Sequence, residues 1–259
     1  MKSKITTVFA KLKARGGKAF IPYIMAGDPE LAETLKRVLL LEKCGADIVE
    51  LGVPFSDPLA DGPTIQAAAE RALKAGVTLR KVIAFVRELR QHTAIPIVLM
   101  TYYNPVFKYS EEAFVRDASE AGVDGVIIPD LPPDEAKSLR ALSRKKGAFD
   151  TIFLAAPTST LQRIRYITAA CSGFVYYVSM TGITGSQLLI DGELQDHLAL
   201  VRQATDKPVA VGFGVSTPEQ ARALRQVSDG VIVGSAIVKK FHEHPVDAAG
   251  YISQLREAI

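Results

Sequence analysis

The chain has 259 residues, 48% hydrophobic and 23% charged, the balance of an ordinary soluble globular protein with enough apolar material for a sizeable core. Its formal net charge is only +3 and the 31 Lys and Arg residues are scattered, which leaves no electrostatic case for nucleic acid or an anionic membrane as partner. Cys44 and Cys171 lie far apart and the four histidines (His92, His197, His242 and His244) show no zinc spacing, which favours buried thiols over a metal centre.

The first segment, "MKSKITTVFAKLKARGG", has no apolar core of signal-peptide length. Ile5, Val8, Phe9 and Leu12 fall at i, i+3, i+4 and i+7, which predicts a short amphipathic helix. Eight β-rich runs follow: "AFIPYIM" (19–25), "DIVELG" (47–52), "PIVLMTY" (96–102), "DGVIIPD" (124–130), "DTIFLA" (150–155), "GFVYYVS" (173–179), "PVAVGF" (208–213) and "DGVIVGS" (229–235). Most are almost continuously apolar, as parallel strands covered on both faces are.

Helical stretches separate them. After the first run, Leu31, Leu35, Val38 and Leu39 share a face, with Asp28 expected as N-cap and Pro29 at the first helical position. Ser110 is expected to cap "SEEAFVRDASEAG", and "STPEQARAL" opens with a capping-box pattern, Ser216 to Glu219. The longest charge-free run, Tyr166 to Ile190, is full of Thr, Ser and Gly and does not read as a membrane span, so a cytoplasmic protein is expected.

"CGADIVELG", "AGVDGVIIPD", "CSGFVYYVS" and "VSDGVIVGS" form a weak internal repeat, each ending a helix, turning near glycine and starting a strand. No linker, low-complexity tract or charge block divides the chain. Eight unbroken βα units predict a single (β/α)8 TIM barrel over residues 1–259 with an extra N-terminal helix. A doubly wound open sheet is the alternative, disfavoured by the regular strand count and by the lack of a dinucleotide fingerprint after the first run.

In such barrels the chemistry sits at the C-terminal ends of the strands. Glu50 lies late in the second run, on the face of Ile48 and opposite to Val49 and Leu51. A buried ion pair is the structural explanation, but the eight runs contain no Lys or Arg to supply it, which favours function. Asp57-Pro58 reads as turn chemistry, and Asp61-Gly62-Pro63 as a turn into a helix. Asp61 alone is evenly balanced between turn residue and catalyst. Its place on a loop beside Glu50 tilts it toward catalysis, since carboxyls in different environments can divide acid and base roles. Asp130 either organises its loop or joins the site, and Tyr102 and Tyr176 are pocket walls or core aromatics.

Two glycine turns, "GFG" (212–214) and "GSA" (234–236), follow the last two runs, where these barrels often hold phosphate on backbone N–H groups and a helix N-terminus. Ser235 adds a hydroxyl. Tight turns that need glycine for geometry alone are the competing account. "SMTGITGSQ" (179–187) suits a lid or an ordinary loop.

"VELGVPFSDPLADGPTIQ" resembles the signature segment of the tryptophan synthase alpha chain family. The similarity continues through "FIPYIMAGDP", "PIVLMTYYNPVF", "DGVIIPDLPPDE", "TGITG", "VGFGVSTPEQ" and "VGSAIV". The resemblance implies a lyase that cleaves indole-3-glycerol phosphate to indole and glyceraldehyde 3-phosphate without metal or organic cofactor. It implies a beta chain as partner in an α2β2 assembly, with pyridoxal phosphate on the beta chain alone. By motif match the catalytic glutamate is Glu50 and the catalytic aspartate Asp61. The phosphate-binding backbone falls on Gly185, Gly212, Phe213, Gly214, Gly234 and Ser235. Tyr23, Met100, Tyr102 and Tyr176 fall in the indole pocket, and Thr184 matches the lid threonine that positions the aspartate. The "SQLLIDGEL" that follows Gly185 matches no family pattern. The loop after the second run and "YNPVF" (103–107) are the expected partner surface, with Val106 and Phe107 equally able to tuck under the barrel rim. A regulatory subunit with little activity, or another sugar-phosphate barrel enzyme, are the other readings; the first is opposed by the Glu50 and Asp61 pair, the second by the 49–63 match.

Overall fold

The computed structural model describes residues 2–178, 192–212 and 214–259, the side chain of Glu193 excepted. The elements run α1 (Lys4–Ala14), β1 (Ala19–Met25), α2 (Leu31–Lys43), β2 (Val49–Gly52), α3 (Pro63–Lys74), α4 (Leu79–Leu89), β3 (Ile97–Met100), α5 (Tyr103–Tyr109), α6 (Glu111–Ala121) and β4 (Gly125–Ile127). They continue with α7 (Lys137–Lys146), β5 (Asp150–Ile152), β6 (Leu154–Ala155), α8 (Leu161–Ala170), β7 (Val175–Val178), α9 (Gly192–Ala204), β8 (Val209–Gly212), α10 (Pro218–Val227), β9 (Gly230–Val233), α11 (Ser235–Glu243) and α12 (Ala248–Ala258). All pairings are parallel, in the order β5-β4-β3-β2-β1-β9-β8-β7-β6.

Eight predicted runs give nine strands because 150–155 breaks at Phe153. Its first half pairs with β4 and its second with β7, so the chain itself closes the ring. At the break the Phe153 N–H turns to the Cys171 sulfur at 3.4 Å, and its carbonyl accepts from Tyr176 N at 3.2 Å. The fold is the expected (β/α)8 barrel.

Continuous apolarity along the strands follows from two cores. Val49, Leu51, Leu99 and Val211 face outward to the helices, while Ile21, Ile48, Val98, Ile127, Ile152 and Ile232 fill the barrel. Helix α1 closes the inner core, burying Ile5, Phe9 and Leu12 as predicted, with Phe9 5.6 Å from Phe174, ring centroid to centroid. Each such side chain contributes about 1.5–3 kcal/mol.

The weak repeat has a physical basis at the strand N-termini. Asp47, Asp124, Ser172 and Asp229 each donate their backbone N–H to a carbonyl at the start of the preceding barrel strand (Phe20, Ile97, Thr151 and Val209). Each also accepts, through its side chain, the N–H of that same residue at 2.8–2.9 Å. This two-bond clasp fixes the register of four strand pairs. Cations screen the aspartates: Arg256 on Asp47 at 3.1 Å, Arg90 on Asp124 at 2.7 Å and Arg202 on Asp229 at 3.4 Å.

Two caps differ from expectation. Glu30, not Asp28, precedes α2 and makes no side-chain cap; the Asp28 carboxylate is taken by an arginine of α3 instead. The capping box of α10 joins Thr217 and Gln220, because Pro218 occupies the first helical position, where its missing N–H costs nothing. Ser110 caps α6 as expected, its hydroxyl accepting from Ala113 N. Cys171 is buried and Cys44 half-buried, both unbridged.

Candidate active site

Alternation along β2 aims Glu50 into the barrel, opposite Tyr23 of β1 and Val98 of β3. It is 1% exposed, and its Oε2 has no hydrogen-bond partner among the described residues. No lysine or arginine pairs with it there, so the ion-pair explanation has no support. Burial, and next the nearby Asp61 carboxylate, push its carboxyl up to about 8. An acid held this way keeps its proton at neutral pH because its charged form has lost water and gained nothing in exchange.

Asp61 rides the loop between β2 and α3. Its N–H bonds the Pro58 carbonyl at 3.1 Å, and its carbonyl accepts from Gln66 Nε2 at 2.7 Å, so the turn reading describes its backbone. Its half-buried side chain lies beside the hydroxyl of Tyr102, and burial raises it to about 6 while that hydroxyl pulls it down. The same hydroxyl accepts from Ala60 N at 3.0 Å. Phe55, which sequence reasoning missed, stacks on the Tyr102 ring at 5.2 Å. An aromatic two residues past the strand-end "GV" was the available signal. Asp57 is exposed and bonded to its neighbour Ser56, as turn chemistry predicts.

Tyr23 and Tyr176 complete the mouth. Both are buried, and burial together with Glu50 and Asp61 drives both hydroxyls well above the ordinary tyrosine range. Their rings need two strand-end glycines. A Cβ on Gly52 would stand 2.1 Å from the Tyr23 hydroxyl, and one on Gly212 would stand 2.6 Å from that of Tyr176. Met100, half-buried, follows Val98 on the same inward face of β3. Glu50, Asp61, Tyr23, Tyr102, Tyr176 and Met100 therefore meet at one end of the barrel: one protonated acid, one carboxylate and an apolar, aromatic wall.

Beside them, Gly212 ends β8, Gly214 follows with φ +76°, and Gly234 with Ser235 starts α11. The first N–H groups of α11 have no helical acceptor, and its dipole favours an anion at that end. Thr184, Gly185 and Phe213 lie outside the described residues. Asp130 is exposed and accepts from Tyr103 N at 2.9 Å, which ties it to the start of α5. The "YNPVF" stretch is helical rather than a loop: Val106 is fully buried in the core, while Phe107 is 66% exposed. Among the described residues no three His, Cys, Asp or Glu side chains cluster as a metal site, and no helix is long and apolar enough to cross a membrane.

Residues 9–258 match the family described as "Tryptophan synthase alpha chain". A protein of that name from Geobacter sulfurreducens is 50% identical over 262 residues, covering 99% of each chain. One from Picosynechococcus is 49% identical over 239 residues, covering 92% of this chain and 90% of its own. Among solved structures, the tryptophan synthase subunit alpha of Legionella pneumophila superposes with a TM-score of 0.92 at 37% identity, covering 100% of this chain and 99% of its own. A chain of Mycobacterium tuberculosis tryptophan synthase gives 0.93 at 38%, with coverage of 100% and 99%.

Proposed function

The chain belongs to the tryptophan synthase alpha chain family, a lyase that cleaves indole-3-glycerol phosphate, and we propose that Glu50 and Asp61 divide the proton and charge work of that cleavage. The reaction is a retro-aldol step yielding indole and glyceraldehyde 3-phosphate. Indole C3 must gain a proton, and the hydroxyl on the adjoining glycerol carbon must lose one. Glu50, protonated, gives its proton to C3. As a carboxylate it then takes the hydroxyl proton while the carbon–carbon bond breaks and its electron pair returns to the ring. Glu50 thus ends as it began. Positive charge develops meanwhile on the indole nitrogen, and the Asp61 carboxylate beside that N–H stabilises it in a site poor in water.

The single observation that carries this reading is the 1% exposed Glu50 inside the barrel, its Oε2 without a hydrogen bond among the described residues and Asp61 near enough to raise its pKa. Tyr23, Met100, Tyr102 and Tyr176 would hold the indole. Backbone N–H groups at Gly185, Gly212, Phe213, Gly214, Gly234 and Ser235 would hold the phosphate, and Thr184 would steady Asp61. The chemistry needs only protons and a fixed charge, so no cofactor is assigned to this chain; pyridoxal phosphate belongs with the partner. That partner is a beta chain in an α2β2 assembly in the cytoplasm. It is supported by two large apolar side chains left in water at the barrel mouth, Leu59 at 95% and Phe107 at 66% exposure. Indole release by Glu50→Gln and Asp61→Asn tests the assignment: each should fall by about a hundredfold or more, and activity near wild type in either removes that residue from the mechanism.

A further inference from the structure

The loop after β1 lies between the two halves of the site, because β1 is hydrogen-bonded to β2 on one side and β9 on the other. The segments after those neighbours carry Asp61 into α3 and the phosphate turn into α11. At the centre of the loop is Asp28, 1% exposed. Its two carboxylate oxygens accept from Arg71 Nε and Nη2 of α3 at 2.6 and 2.8 Å. Its backbone carbonyl accepts from Arg37 Nη1 of α2 at 2.6 Å. The Arg37 guanidinium in turn lies 4.9 Å over the ring of Phe241 on α11. One buried cluster therefore ties the catalytic-loop helix to the phosphate helix.

Stability does not explain it. A buried ion pair does little better than an apolar contact of the same shape, because both charges lose water. Here the cluster even leaves Arg37 Nε without a hydrogen bond among the described residues, with only a 4.0 Å ion pair to Glu33. What it supplies is position. Helix α3 buries Ile65 and the three small residues Ala68, Ala69 and Ala72, a flat face with little to stop it turning or sliding. Its N-cap is Gly62, which offers no side-chain cap. A two-pronged arginine pairing has one geometry and removes that freedom.

We propose that Asp28 is a positioning residue for the lyase reaction: through Arg71 it fixes α3, and so the Asp61 that immediately precedes the helix, relative to the phosphate helix α11. This rests on the role given to Asp61 above. Asp28→Asn keeps the volume and one acceptor but loses the charge and the second prong. Misplacing a catalytic group by about 1 Å costs up to a hundredfold, so kcat should fall ten- to a hundredfold with KM within about threefold. A loosened Asp61 gains water, so the acid limb of kcat/KM should also move to lower pH. Arg71→Lys, with one prong left, should fall between wild type and Asp28→Asn. If Asp28→Asn fails to fold, Arg71→Lys carries the test alone, since it keeps a cation beside the buried Asp28 carboxylate while removing the second prong, and kcat and the acid limb should move in the same directions by less. Unchanged kcat, or a loss of kcat with the acid limb in place, overturns the proposal. Asp61→Asn measured alongside separates the two ideas: near-wild-type activity there removes the role of Asp61 itself, whereas an inactive Asp61→Asn beside an unaffected Asp28→Asn removes only the clamp.

Discussion

The Tyr102 hydroxyl accepts the N–H of Ala60 at 3.0 Å, and the carboxylate of the next residue, Asp61, lies beside that same hydroxyl. One phenol thus holds the backbone of the loop after β2 and favours the ionised form of its aspartate. Removing it with Tyr102→Phe leaves the Ala60 N–H without its acceptor and takes a polar group away from a charge, which costs about 1–3 kcal/mol. The hydroxyl lowers the Asp61 pKa, so its loss raises it. The acid limb of the kcat/KM profile should move to higher pH, and kcat at neutral pH should fall about tenfold. An unmoved limb would show that the Tyr102 hydroxyl does not set the titration of Asp61.

Activity should depend on pH as a bell. Asp61 must be ionised, so kcat/KM rises as pH passes through about 6. Glu50 must be protonated, so it falls as pH passes through about 8. The optimum lies between them, near neutrality. Initial rates of indole release from pH 5 to 9 check this. A profile flat across pH 7 to 9 would contradict the acid role of Glu50.

The same acid should cost the protein stability in alkali. Folded, Glu50 keeps its proton to about pH 8; unfolded, it releases it near 4.5. Between those values the folded chain binds the extra proton, so stability falls as pH rises and levels off above 8. Glu50→Gln has no proton to lose. Its melting temperature relative to wild type should rise steadily from pH 4.5 to 8, by the equivalent of a few kcal/mol, while indole release disappears. A pH-independent difference in melting temperature would mean that Glu50 is already ionised at neutrality.

At the far end of the barrel the expectation reverses. Asp124 is 5% exposed and bonds Arg90 at 2.7 Å and Ile97 N at 2.9 Å. Asp124→Ala takes the counter-charge from a half-buried guanidinium that keeps the Gly122 and Ile95 carbonyls, and leaves a strand N–H unmet, which should destabilise the chain by about 1.5–3 kcal/mol. Denaturant midpoints should drop while the limbs of the pH profile stay in place.

The strands were legible because their apolar runs are bounded by Gly, Asp and Pro, and the barrel because helices alternate with them without a break. Glu50 stood out as the acid in a run with no cation near it, and Asp61 by its place in the loop that follows. The rest depended on partners distant in the sequence. Asp28-Pro29 looks like a helix start because local residues are all that a sequence window offers; its true partner, Arg71, is 43 residues away. The break at Phe153 follows from the ring handing over between two neighbours, which no local pattern encodes. The repeat was visible as glycine near a strand start, yet the recurring feature was the polar residue there, Asp47, Asp124, Ser172 or Asp229, whose acceptor role needs the neighbouring strand in place.

Those four clasps share one geometry and lie at the opposite end of the strands from Glu50 and the phosphate turns. Each joins two consecutive barrel strands, so the ring reads as four quarter-barrels, each locked at its base before its upper loops are reached. Alignment of the strands then asks nothing of the residues at the mouth. Insertions, exchanges of side chain or movements there leave the staves in step, and a wall of this kind can be refitted for a different substrate without being rebuilt.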